Sequence, residues 1–180
     1  MIKVYRLTGD TSGSDPVEAT TYTDITDSNT RLNATDAHST SGTTHPILIP
    51  DSGTNYSYKC STQLGWDGTA GTGTINNIKW YTDGSNGLGD GVGMNVKSTT
   101  NDYSQAAGTE GETGDEMTDG SDAFGYTSAS PLSVSGSATD PEDGEKIGDI
   151  VEQQVTVDST AGAGATSSET VTFQYDSTVA

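Results

Sequence analysis

The sequence predicts an all-β protein, and more narrowly an antiparallel β-sandwich of about eight or nine short strands. Apolar and polar residues alternate along several short segments, which is the pattern of a strand with one buried face. Gly, Asp and Ser turns separate these segments, and no segment carries an apolar stripe with helical spacing. A jelly-roll-like or an immunoglobulin-like topology fits this pattern, and the order of the strands stays open.

The first half of the chain contains the clearest strand, from Asn55 to Trp66. Polar residues occupy one face of it, and the other face carries Tyr56, Tyr58, Cys60, Thr62, Leu64 and Trp66. This alternation predicts one continuous, half-buried strand. Shorter strands are predicted before it, at Ile2–Leu7, Tyr22–Ile25 and Pro46–Ile49.

The segment from Thr74 to Thr82 has apolar residues on both of its faces. Such a pattern indicates a strand that is covered on both sides, or one whose second face meets another subunit. We therefore predict a strand that makes subunit contacts through Ile75, Ile78, Trp80 and Tyr81.

The second half of the chain predicts four more strands around a long acidic loop. The strands are a segment with Val92, Met94 and Val96 at alternate positions, then Pro131–Gly136, Ile150–Val157 and Thr170–Tyr175. The loop, Asn101 to Asp122, holds seven carboxylates among Gly, Thr and Ser and offers almost nothing to bury; a loop of this length is typically functional or mobile. Residues 1–180 are predicted to form a single domain.

Charge is the most unusual property of the composition. The chain has 26 Asp and Glu residues against 7 Lys and Arg, a formal net charge of −19, and only 29% of its residues are hydrophobic. Self-repulsion of this size destabilises a compact state, and concentrated salt screens it. We therefore predict a salt-loving source; the alternative is a surface protein of an ordinary organism that binds divalent cations.

Several function classes lack their sequence signals. The two histidines, His38 and His45, lie in or beside a polar connection, no nucleophile elbow precedes a helix, and no phosphate-binding loop ends in Gly-Lys-Ser or Gly-Lys-Thr. We therefore predict that the protein is not an enzyme. The negative charge disfavours nucleic acid, and no apolar run is long enough to span a membrane. The start of the chain has no signal-peptide pattern, and the single Cys60 is expected to be a small buried hydrophobe.

One loop offers ligands for a hard cation. Its side chains provide several oxygen atoms within a Gly-rich span, from Asp83, Ser85, Asn86 and Asp90. Oxygen donors of this kind suit Ca²⁺ or Mg²⁺, although the spacing lacks the closing Glu of an EF-hand. An ion site and an ordinary hairpin turn both stay open here, and no cofactor is required.

Three short motifs carry a resemblance to a known class of protein. They are Tyr56-Ser-Tyr-Lys-Cys60, Ile75-Asn-Asn-Ile-Lys-Trp-Tyr81 with its Gly/Asp turn, and Thr172-Phe-Gln-Tyr-Asp176. Together they resemble the small β-rich virion proteins encoded among the head and tail genes of tailed viruses. The resemblance implies a non-enzymatic particle component such as a decoration, turret or neck protein, and the acidity extends this to a virus of a halophilic archaeon.

These observations lead to one expected function and its alternatives. We expect a virion structural protein, assembled in the host cytoplasm, that binds the major capsid protein or other virion proteins as a symmetric homo-oligomer. A carbohydrate- or receptor-binding module of a tail fibre or cell surface is the alternative, with Trp80 in an exposed aromatic platform. A neck or tail component is the second alternative.

Overall fold

The protein is described by a computed structural model, which covers residues 1–9, 19–100, 103–105, 108–164 and 166–180. These residues form one short 3-10 helix, Ala123–Gly125, and eleven strands: β1 (Ile2–Gly9), β2 (Ala19–Asp24), β3 (Thr54–Tyr56), β4 (Cys60–Trp66), β5 (Thr74–Tyr81), β6 (Val92–Thr99), β7 (Ser121–Asp122), β8 (Leu132–Ser133), β9 (Ala138–Thr139), β10 (Lys146–Asp158) and β11 (Thr172–Ser177). The predicted all-β class is therefore confirmed.

Two antiparallel sheets make up the fold. The larger sheet has the strand order β2-β1-β4-β10-β6-β7, with β3 also paired to β10. The smaller sheet has the order β11-β5-β8, with β9 also paired to β5. Packing of the two sheets confirms the predicted β-sandwich, with more strands than the eight or nine expected because several have only two or three residues.

The main core lies between the two sheets. The larger sheet contributes residues such as Leu64, Val96 and Val151, and the smaller sheet contributes Ile78 and Trp80. All five side chains are fully buried or nearly so. Burial of this apolar surface is the main force that holds the two sheets together.

The predicted strand from Asn55 to Trp66 is not continuous. It divides into β3, which pairs only with the far end of β10, and β4, which lies between β1 and β10. The expected polar, solvent-facing side is also wrong, because Ser61 and Gln63 are as buried as Leu64 on the opposite face. Something other than the second sheet must therefore cover the outer face of the larger sheet.

A β-bulge explains the apolar residues on both faces of β5. Gln174 of β11 pairs with Lys79, but Asp176 pairs with Asn76, so two residues of β5 oppose one of β11. Asn77 adopts a positive φ of 51° at this point, and its Nδ2 donates to Asp176 Oδ2 at 2.9 Å. The extra residue reverses the alternation, so that Ile75 and Ile78 both point into the core.

Substitution of Asn77 provides a test of the bulge. Asn77→Val is expected to lower the free energy of unfolding by about 1–2 kcal/mol, because a β-branched residue is strained at positive φ. Asn77→Gly is expected to lose less, since Gly adopts this conformation freely and only the contact with Asp176 disappears. Urea unfolding of the two variants measures the difference, and equal losses would contradict the assignment of strain to this position.

The remaining predicted strands differ mainly in length. The segment Pro46–Ile49 forms no strand in the structure, and Pro131–Gly136 contains only the two-residue β8. The two-residue strands β7 and β9 were not predicted. At one end of the sandwich, Met1 exchanges backbone hydrogen bonds with Asp67, and Ala180 N donates to Thr72 O at 3.1 Å. Both ends of the chain are thus fixed to the connection between β4 and β5.

Candidate functional site

The acidic loop after β6 covers the outer face of the larger sheet. Residues 101, 102, 106 and 107 of the predicted Asn101–Asp122 loop lie outside the described residues. In the rest of the loop Tyr103, Gln105 and Met117 are buried, so the expectation that it has almost nothing to bury is wrong. Tyr103 packs with Leu7 and Ile150, which point outward from the sheet. This cover explains why β4 is buried on both faces.

A buried ionic network ties the loop to the sheet. Glu152 of β10 is 1% exposed, and its carboxylate lies 3.1 Å from Lys59 Nζ and 3.2 Å from Lys97 Nζ. Lys97 Nζ also contacts the exposed Asp119 carboxylate of the loop at 3.0 Å. Burial alone would lower the pKa of Lys97, but its hydrogen bonds to Asp119 and Glu152 outweigh this effect and raise the pKa.

A second buried carboxylate extends the network toward the other end of the loop. Asp36 accepts hydrogen bonds from the Tyr103 hydroxyl, from Gly9 N at 2.8 Å and from Gln105 Nε2 at 3.2 Å. Gln105 also bonds to the backbone N and O of Lys59. Asp36 and Glu152 are the only buried acids in the described residues; three donors hold Asp36, and two lysines pair with Glu152. Asp36 therefore anchors the acidic loop to the end of β1.

Tyr103 gives the network a measurable pH dependence. Burial, and then the neighbouring Asp36 carboxylate, raise the pKa of Tyr103 well above its ordinary value. Because the folded state holds this proton more tightly than the unfolded state, the stabilisation is complete below about pH 10 and is lost as the pH rises further. We expect the unfolding free energy to fall less steeply above about pH 10 in Tyr103→Phe than in the wild-type protein. Equal slopes in denaturant titrations across this range would contradict the assignment.

An open cavity of about 510 Å³ lies at the ends of β1 and β2, and Asp36 is one of the residues that line it. Its lining includes His38, His45 and Glu110. His45 Nδ1 lies 3.8 Å from the exposed Glu110 carboxylate, and Thr35 Oγ1 donates to the same carboxylate at 2.7 Å. His38 contacts Thr30 Oγ1 at 3.2 Å, and burial, followed by the charge of Arg6, lowers its pKa. The sequence did not predict that the two histidines share one cavity.

Arg6 is an unusual buried cation that lies under the connection between β2 and β3. Arg6 of β1 is 1% exposed, and its guanidinium donates to Thr30 Oγ1, Arg31 O and Cys60 Sγ. Cys60 is itself fully buried, and burial raises the pKa of its thiol. A protonated, inaccessible thiol is unreactive, which agrees with the predicted role of Cys60 as a buried hydrophobe.

The predicted cation loop uses its side chains to hold its own backbone. Asp83 Oδ1 accepts from Ser85 N at 2.8 Å, Asn86 Oδ1 accepts from Leu88 N, and Asn86 Nδ2 donates to Val92 O. Among the described residues Asp90 forms no hydrogen bond or ion pair with these groups, and no cluster of three or more His, Cys, Asp or Glu side chains is placed to hold a metal. These bonds are those of an ordinary turn, and a Ca²⁺ or Mg²⁺ ion at Asp83, Ser85, Asn86 and Asp90 stays a prediction.

The strand predicted to contact other subunits belongs largely to the core. Ile75, Ile78 and Trp80 are each at most 1% exposed, so their side chains form no surface for a second subunit. Tyr81 is only partly buried. Burial of Trp80 also removes the exposed platform on which the carbohydrate-binding alternative depended. Among the described residues the exposed aromatic side chain is Tyr22, and Lys146 Nζ lies 4.5 Å from the ring centroids of Tyr22 and Tyr5.

The exposed apolar residues of the described chain concentrate in one segment, Pro46-Ile47-Leu48-Ile49-Pro50, here named the apolar arm. Leu48 is 47% exposed and Ile49 is 39% exposed, and only Met1 and Tyr22 are comparable elsewhere in the described residues. Leu48 N donates to Glu112 O at 3.0 Å, and Asn55 Nδ2 donates to Leu48 O at 2.8 Å. The apolar arm is therefore held against the acidic loop while its side chains face solvent.

Two further findings concern the chain as a whole and not a single site. None of its described residues forms a helix of the length and apolarity needed to cross a membrane. Searches with protein-family models, curated proteins and solved structures gave no match to this chain.

Proposed function

We propose that this protein is a non-enzymatic structural component of a virus particle. On this proposal it binds the major capsid protein, or another virion protein, at the shell or its vertices, in many symmetric copies. The short motifs described above resemble small β-rich virion proteins, and this resemblance is the basis for proposing this class of protein. The β-sandwich supports it, because such a domain is a common building block of assemblies.

The observation that carries the proposal is the apolar arm. Adjacent exposed apolar residues are unusual on a protein with this charge, and exposed apolar patches mark interaction sites. Nearly all the acids of the described residues lie at the surface, since only Asp36 and Glu152 are buried. The arrangement suits a solvent-facing acidic body that attaches through a small apolar contact.

The test of the proposal is the composition of purified particles. We expect the chain to be present in a fixed, symmetric copy number on the shell, measured by quantitative mass spectrometry and by electron cryomicroscopy of the particle. Density at a neck or tail would favour the alternative location. Absence of the chain from purified particles would refute the proposal.

The proposed halophilic source makes a separate prediction about salt. We expect the melting temperature to rise substantially between about 0.1 M and about 2 M KCl, because the screening length falls to a few ångströms and repulsion among exposed carboxylates decreases. Thermal unfolding followed by circular dichroism measures this. A flat or falling melting temperature over that range would count against a salt-loving source and leave the particle proposal unaffected.

A further inference from the structure

The backbone of the apolar arm has one paired edge and one free edge. Leu48 uses both its N–H and its C=O in hydrogen bonds, to Glu112 and Asn55. The backbone groups of Ile47 and Ile49 have no hydrogen-bond partner among the described residues. In an extended chain successive residues direct these groups to opposite edges, so the unbonded groups of Ile47 and Ile49 belong to the edge opposite the bonded groups of Leu48.

The apolar arm is already held in place for pairing. Pro46 and Pro50 restrict their own φ angles, and Pro50 also favours an extended Ile49. Ala34 N donates to His45 O just before the arm, and Asn55 and Glu112 fix its centre. A preorganised segment loses little conformational entropy when a partner binds. The missing N–H groups of the two prolines lie at the same alternate positions as Leu48, so the free edge keeps its donors.

We infer that the apolar arm adds a strand from a different protein along its free edge, and that this partner strand is apolar with Lys or Arg at its ends. Addition of an extended segment to an exposed backbone edge is a common mode of recognition, in which main-chain bonds give affinity and side chains give specificity. The sequence of the arm favours a strand, and the described residues supply no partner for its free edge. This inference rests on the proposed function, since it names the contact through which the chain would bind its particle.

The negative charge around the apolar arm determines which partner strand is complementary to it. Asp51 follows the arm directly, and the exposed Glu110 and Glu112 belong to the segment that holds it. No Lys or Arg contacts the arm among the described residues. A second copy would bring the same carboxylates together on a partner that also carries −19, whereas basic flanks would complement them.

The test uses the full chain and a defined peptide. The probe is a capped heptapeptide of alternating Val and Thr with Lys at both ends, and the matched control has Glu at both ends. Amide hydrogen exchange measured by NMR should slow at Ile47 and Ile49 when the Lys peptide is added. Leu48 serves as the internal control, because its amide is already bonded and should change little. At moderate salt we expect the Lys peptide to bind about tenfold more tightly than the Glu peptide.

Proline variants test the free edge directly. Ile49→Pro and Ile47→Pro each remove one free donor and should abolish protection of the arm, while Leu48→Ala keeps the backbone and should retain it. If a proline variant does not fold, amide exchange at Ile47 and Ile49 of the wild-type protein is by itself the test of the inference.

Three outcomes would overturn the inference: no slowing at Ile47 and Ile49, equal binding of the two peptides, or concentration-dependent protection without peptide, which would assign the arm to a second copy. If the chain is present on particles but its amide exchange does not change with the peptide, the proposed function stands and this contact is not the one it uses.

Discussion

Glu152→Gln is expected to lower the free energy of unfolding by about 3 kcal/mol or more. The substitution keeps the size of the side chain but removes the negative charge that lies between Lys59 and Lys97. Lys59 is then left as a largely buried ammonium without a carboxylate, and breaking a buried pair in this way is strongly destabilising. Urea unfolding at about 2 M KCl, where repulsion between surface acids is screened, measures the change.

Asp119→Asn is the matched control for that experiment. Asp119 contacts the same Lys97, but its side chain is 69% exposed, and exposed ion pairs contribute little. We expect a loss below about 1 kcal/mol. If the two variants lose the same amount, burial of Glu152 between Lys59 and Lys97 does not make its charge costly to remove.

Trp80→Ala is the second large effect, with an expected loss of about 3–5 kcal/mol. Trp80 is fully buried among residues of both sheets, so truncation leaves a large cavity in the core. A glycan-binding platform would behave differently, since its loss would abolish binding and leave stability intact. Denaturant unfolding monitored by circular dichroism separates these outcomes.

Trp80→Phe refines the same experiment. The indole Nε1 has no hydrogen-bond partner among the described residues, so removing this donor breaks none of the bonds that they form. Phe also keeps much of the apolar volume, and we expect a loss of only about 1–2 kcal/mol. A loss as large as that of Trp80→Ala would show that the N–H group has an unseen partner.

The long strands could be predicted from the sequence, and the short ones could not. Strands such as β1 and β10 contain enough alternating residues to reveal their period. The two-residue strands β7 and β9 have no period at all, and they form because neighbouring strands are already in place. The apolar residues on both apparent faces of β5 did reflect the structure, but their cause is the bulge at Asn77 and not a second covered face.

The covered outer face of the larger sheet could not be predicted, because its partners are distant in sequence. Ser61 and Gln63 have the composition of a solvent-facing side, and the residues that cover such a face are isolated among acids in the loop after β6. Lys59 and Glu152 are 93 positions apart and meet only through the pairing of β4 with β10. A faint signal existed, since Lys59 lies within a predicted strand and Lys97 directly follows another.

The two ends of β10 lie close to different features of the molecule. Lys146 lies beside Gly65, close to the turn that holds Met1 and Ala180, while Val157 lies beside Asn55, which holds the apolar arm. At roughly 3.3 Å per residue, and with two residues taken up by the bulge between Ile147 and Val151, the strand separates these two features by roughly 30 Å. A protein anchored through the arm would therefore present both chain ends on its far side. Peptides or domains fused at either terminus should be displayed outward, away from the surface that the arm contacts.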